Sequence, residues 1–222
     1  MRHTYLGRIR AGAGATPELL NSVGQAFLRF TESAQQYPGL EAATFARNVT
    51  LTLETANLLL QLHSDVYSDD IFPHTLATVL AHRDQFVNEP PSLYNYDCGP
   101  DNILLRDERF TRFVDLEGCY QGTLSLHFGA FFERLAQADG PGYDAPKVVA
   151  HFWSMFCQML PSDLELLQAT ALLKVWLPLV RYHGWNGWQT WTPGKLPDSV
   201  ERERERARWF VRRLHRVQAV FI

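Results

Sequence analysis

Cysteine is scarce in this chain, and what there is falls in no pattern. Cys98, Cys119 and Cys157 are an odd number, widely spaced, with no Cys-x-x-Cys pair. That excludes a disulfide framework and a cysteine-built zinc site, and it fits a reducing cytosol, so the expected compartment is cytoplasmic. No apolar run approaches the ~18 residues that a membrane-spanning helix needs. The opening MRHTYLGRIRAGAGA has no apolar stretch of the kind a secretory signal carries. Positive charge is not in excess either. The formal net charge is −3, so no overall basic field recruits nucleic acid. His63, His74, His82, His151 and His183 show no ligand spacing such as His-Glu-x-x-His, and no metal is assigned to them. There is no internal repeat and no low-complexity linker.

What is present is enough apolar material for one sizeable core. The 222 residues are 46% hydrophobic, which suits a single domain over 1–222. Residues 1–92 read as leading helices. Thr16 can cap a helix with Pro17 at its first position, running to about Ser33 with Leu19, Leu20, Val23, Phe27 and Phe30 on one face. A second helix is expected over 40–64 and a third over 74–87, with NEPPS as a stop. Residues 4–9 are a short strand or an extended lead-in. The period then changes. Ile103–Leu105 and Phe110–Leu116 alternate as two strands around the polar turn Arg106–Arg109, so 93–122 is expected to be a hairpin unit. Helices resume over 124–137, 145–159, 162–182 and 198–220, making 123–222 the closing helical part. The fold class is mainly α with a central β-hairpin.

The hairpin carries the chemistry. Asp97 and Asn102 are spaced Asp-x-x-x-x-Asn, and Asp115 follows thirteen residues after Asn102. A hairpin between Asn102 and Asp115 brings the chain back to its start, so the three should converge. Two carboxylates and an amide oxygen make a hard oxygen site suited to Mg²⁺. Phosphoryl transfer uses such a set: one Asp to accept the hydroxyl proton, an Asn and an Asp to hold metal on nucleotide phosphates. Asp and Asn are also turn formers, and the same three residues fit an ordinary hairpin. HRDQFVN at 82–88 imitates this loop, but its Asp84-to-Asn88 spacing is one short and it runs into Pro90. It reads as a helix end.

The stretch Asn95-Tyr96-Asp97-Cys98-Gly99-Pro100-Asp101-Asn102-Ile103-Leu104, followed by Asp115-Leu116-Glu117, resembles the catalytic core of the aminoglycoside phosphotransferase and choline kinase superfamily. Those proteins carry His-Gly-Asp-Leu-His-Pro-Gly-Asn-hydrophobic and then Asp-Phe-Glu. The resemblance implies the C-terminal lobe of the protein kinase-like fold. By it Asp97 is the catalytic base, Asn102 and Asp115 are the Mg²⁺ ligands, and Glu117 is an auxiliary acid. It also implies ATP or GTP as phosphoryl donor and a small-molecule alcohol as acceptor.

The chain departs from the family pattern in several places. The family's two histidines are Asn95 and Gly99 here, and Thr123 and His127 stand where it has acidic residues after Asp-Phe-Glu. No lysine occurs before Lys147 and no Gly-rich strand pair precedes Asp97, so the N-terminal β lobe that covers the nucleotide is expected to be absent. A second chain covering that face, or a homodimer, would then complete the site. The alternative is a catalytically inactive kinase-like domain that binds a ligand or a protein, and a third option is a helical scaffold with coincidental acids. Cys98 is expected to be a small buried side chain. Trp176, Trp185, Trp188 and Trp191 could form an aromatic box for a quaternary ammonium or simply pack. Asp139, Asp144 and Asp163 are candidates for an acidic acceptor pocket. The charged segment from Glu201 reads as a solvated helix with Glu201–Arg204 and Glu205–Arg208 pairs.

Overall fold

Thr16 opens the first helix. Its side chain accepts from the Leu19 amide at 3.3 Å, and Pro17 occupies the first helical position, where a missing N–H costs nothing. The computed structural model describes residues 3–8, 14–62, 64, 71–95, 97–107, 109–138 and 140–157, with Ala169, Leu173, Trp176, Glu205 and Arg208. Within them run β1 (His3–Tyr5), α1 (Pro17–Gln35), α2 (Ala42–Leu62), α3 (Ile71–Ala81), α4 (Arg83–Asn88), β2 (Pro91–Asn95), β3 (Ile103–Arg106), β4 (Arg109–Phe113), β5 (Cys119–Thr123), α5 (Leu124–Gln137) and α6 (Ala145–Phe156). Short 3₁₀ turns follow β1 and precede β3 and β5. The helices expected over 162–182 and 198–220 lie almost wholly outside the described residues.

The core is built on Phe27 of α1. Its ring stacks on Phe131 at 4.0 Å and meets Phe128 and Phe156 edge-on or tilted at 5.4 and 5.6 Å. Leu19, Leu20 and Val23 continue the face along α1. Leu135 on α5 and Val148, Val149 and Phe152 on α6 close it. The 3.6-residue period therefore places α1, α5 and α6 around one apolar centre. On α2 the inward face is Val49, Leu53, Ala56 and Leu59, while Leu58 and Leu62 face outward.

The third expected helix is two. His82 sits at φ −107°, ψ 7°, and its amide bonds to Val79 O at 3.2 Å. That tightened last turn ends α3, and α4 restarts at Arg83.

The hairpin sits in a small antiparallel sheet ordered β1-β3-β4. Ile103 pairs with Phe113 and Leu104 with Arg112. Leu105 then pairs with Phe110, so β4 bulges by one residue. Beside it lies a second ribbon that the sequence reading did not anticipate. β2 and β5 pair antiparallel from Pro91↔Thr123 to Asn95↔Cys119. The ribbon ties the root of the whole 95–119 segment: β2 leads into the loop holding Asp97, and β5 leads out of it into α5.

Candidate active site

Backbone geometry fixes the loop first. The Asp97 amide donates to Asn95 Oδ1 at 3.0 Å, a side-chain turn of the kind Asn favours. The Asp97 carbonyl accepts from the Gly99 amide at 2.8 Å and from Asn102 Nδ2 at 2.7 Å. Asn102's own carbonyl then accepts from the Val114 amide at 2.9 Å. The loop that starts at Asp97 and the strand end that precedes Asp115 are thus held to the same residue.

The Nδ2 bond commits the nitrogen of Asn102 to the loop, so Oδ1 is its atom with the chemistry of a hard-cation ligand. Asp115 is exposed and lies at φ 57°, ψ 52°. That left-handed conformation is uncommon outside glycine, though Asp tolerates it better than most. Its carboxylate makes no capping bond to the turn it starts. Such backbone outliers concentrate at functional sites. Glu117 is exposed in the Leu116–Gly118 turn. Among the described residues no three His, Cys, Asp or Glu side chains cluster as a metal cage. An amide plus a carboxylate is the sparse protein set that Mg²⁺ takes when phosphates supply further oxygens, so the residues present fit that ion.

Asp97 is partly exposed and its carboxylate forms an ion pair with Arg134 of α5. Sequence reading missed Arg134. One arginine on an amphipathic helix gives no signal of a partner thirty-seven positions earlier. It also missed Glu89, whose carboxylate accepts from the Ser125 hydroxyl and, at 3.2 Å, from the Ser125 amide. A carboxylate there complements the amides at the start of α5, which have no partner within the helix.

The departures from the family motif have visible structural roles. Thr123 caps α5, accepting from the Leu126 amide at 3.3 Å. His127 is fully buried, stacked on Phe27 at 4.5 Å and 3°. Burial pushes its pKa down to about 3. Asn95 is buried too. Among the described residues, Asn95 Nδ2 and both His127 ring nitrogens have no hydrogen-bond partner. Cys98 is buried, as expected, and Asp101 is exposed, 3.8 Å from Arg8. Trp176 is buried against Phe72 at 5.6 Å, which makes it core. Trp185, Trp188, Trp191, Asp139 and Asp163 lie outside the described residues, and Asp144 caps α6 through the Lys147 amide. The Arg83–Asn88 segment is helical, so the imitation loop is indeed a helix end. No helix among the described residues is long and apolar enough to cross a membrane.

No family model and no curated protein matches the sequence. Among solved structures the chain is similar to an aminoglycoside-3'-phosphotransferase of type VIII. That match has 15% identity and a TM-score of 0.52, over 76% of this chain and 64% of the other. It is also similar to the ADP-bound aminoglycoside phosphotransferase APH(2'')-Ib, with 13% identity and a TM-score of 0.42, over 91% of this chain and 71% of that one. The first likeness defines a protein kinase-like fold, mainly α with small antiparallel sheets. The chain spans 64% of that first enzyme's length.

Proposed function

We propose that this protein transfers the γ-phosphoryl group of a Mg²⁺-bound nucleotide, ATP or GTP, to a hydroxyl of a small-molecule acceptor. The observation that carries the reading is the bonding of Asn102. Its side chain is held to Asp97 at 2.7 Å and its backbone to Val114 at 2.9 Å, so the Asp-x-x-x-x-Asn loop and the Asp115 turn form one unit.

In that unit Asp97 accepts the proton of the attacking hydroxyl. Its carboxylate is partly exposed, which lets an acceptor reach it. Asn102 Oδ1 and the Asp115 carboxylate would hold Mg²⁺, which when bound neutralises charge on the nucleotide phosphates. Glu117, two residues after Asp115 and exposed, serves as an auxiliary acid on the solvent side. The acceptor class proposed is amino sugars and amino alcohols with a free hydroxyl, a reading supported by the likeness in fold to an aminoglycoside phosphotransferase.

The test is phosphoryl transfer from labelled ATP and GTP to a panel of such alcohols. Asp97→Asn should lower turnover about 10²–10⁴-fold, the usual worth of a positioned general base, and still bind nucleotide. Equal turnover by Asp97→Asn and wild type would remove Asp97 from the reaction.

A further inference from the structure

Gly99 is not a glycine for the sake of its backbone. Its φ is −113° and ψ 172°, extended geometry open to any residue. It is a glycine for space: a Cβ there would lie 3.0 Å from Arg134 Cβ and 3.1 Å from Arg134 Nε. The arginine stem passes across Gly99 and its guanidinium reaches the Asp97 carboxylate. We propose that Arg134 is the positioning residue for Asp97, and that Gly99 is the opening that admits it. The proposal rests on the phosphotransferase reading above.

The bonds within the loop explain why such a residue is needed. The Asp97 backbone is held at its amide by Asn95 and at its carbonyl by Gly99 and Asn102. None of these bonds touches the carboxylate. A side chain that is 39% exposed keeps rotamer freedom unless something restrains it. Arg134 supplies the restraint from a rigid base. Thr123 caps the start of α5, and the buried Tyr143 hydroxyl donates to Leu135 O at 2.9 Å, one residue beyond Arg134. A guanidinium is planar and stays charged, so it orients the carboxylate without competing for the proton that Asp97 must take. The pair is partly exposed, 28% and 39%, and pairs of that kind add little to folding stability. The effect should therefore fall on turnover rather than on the fold.

The experiment compares wild type, Arg134→Gln, Arg134→Lys and Gly99→Ala for steady-state phosphoryl transfer from Mg·ATP, with thermal unfolding as control. Misplacing a reacting group by about 1 Å costs on the order of 100-fold. Arg134→Gln should lower kcat by that order with the nucleotide KM unchanged. Arg134→Lys should recover part of the loss, and Gly99→Ala should reproduce it by displacing the arginine. An unchanged or raised kcat in Arg134→Gln, beside an active wild type, overturns the positioning role alone. A wild type that neither turns over nor is stabilised by Mg·ATP overturns the phosphotransferase reading, and the role of Arg134 with it. Should Arg134→Gln not fold, Arg134→Lys and Gly99→Ala decide: wild-type kcat in both overturns the proposal, and reduced kcat at unchanged KM supports it.

Discussion

At the scale of single residues, His127 ties the stability of the fold to pH. The fully buried ring has a pKa of about 3 against 6.5 for an ordinary histidine. Between those values the unfolded chain binds a proton that the folded chain excludes. Stability therefore rises with pH across that window and is lost on acidification, by up to about 1.4 kcal/mol per pH unit. His127→Phe keeps a ring against Phe27 and removes two nitrogens that lack partners. Urea unfolding at pH 7 and pH 4.5 should show the variant more stable than wild type, by roughly 1–3 kcal/mol at neutral pH, with the gap widening at pH 4.5. A constant gap would mean that His127 is not the titrating group. Asp97, Asn102 and Asp115 are legible in the sequence as candidates because phosphoryl transfer would ask for those residue types at that spacing. The sequence could not mark Arg134 or Glu89, because each acts across more than thirty residues of chain through a contact that only the fold creates.

At the scale of elements, the loop depends on how its neighbours approach it. β1 pairs with β3 through His3↔Arg106, Thr4↔Leu105 and Tyr5↔Leu104, and the following turn passes close to the α5–α6 connection. A Cβ on Gly140 would meet the Gly7 carbonyl oxygen at 2.2 Å, closer than any real contact. Gly140→Ala should push the His3–Arg8 segment off the sheet, and hydrogen exchange of the β1–β3 amides should quicken in that variant while α5 stays protected. At the start of α5, Thr123→Ala removes a cap and should cost about 1 kcal/mol in urea unfolding. No loss would mean that Glu89 alone holds that terminus.

Helices α1, α2, α5 and α6 are legible because each buries a stripe at helical spacing, whereas the break at His82 that divides 74–87 leaves no mark in the pattern. Helix α5 was read at 124–137 and runs Leu124–Gln137. The β2–β5 ribbon was not legible. PSLYN and CYQGT are short, contain Pro or Gly, and show no clean alternation, and their pairing spans the entire site. Gly122 belongs to that pairing: a Cβ there would meet Tyr94 Cδ1 at 2.5 Å and Leu126 Cδ2 at 2.9 Å, so the residue is held to glycine by packing between the ribbon and α5.

At the scale of the whole molecule, an aromatic core made by α1, α5 and α6 carries a small sheet and a ribbon, and the candidate site lies in the loop between them. The helices that build the core also position the chemistry: α5 buries Phe128 and Phe131 and presents Arg134 to Asp97. An aminoglycoside-3'-phosphotransferase of type VIII shares this fold at 15% identity. Asn95 and Thr123 hold the backbone on either side of the site, at the Asp97 and Leu126 amides, and His127 packs in the core against Phe27. A live Mg·nucleotide site at Asn102 and Asp115 should stabilise the fold when ligand binds. The decisive measurement is thermal unfolding with and without Mg·ATP, for wild type and Asp115→Asn. Asn is the right substitution because it tolerates the left-handed backbone, so the variant loses charge without backbone strain. At a hundred times Kd, ligand should add about 2.7 kcal/mol, a rise of about 5–10 °C in Tm for a chain of this size. A live site gives that rise in wild type and little or none in Asp115→Asn. An equal rise in both proteins, or none in wild type, would contradict it.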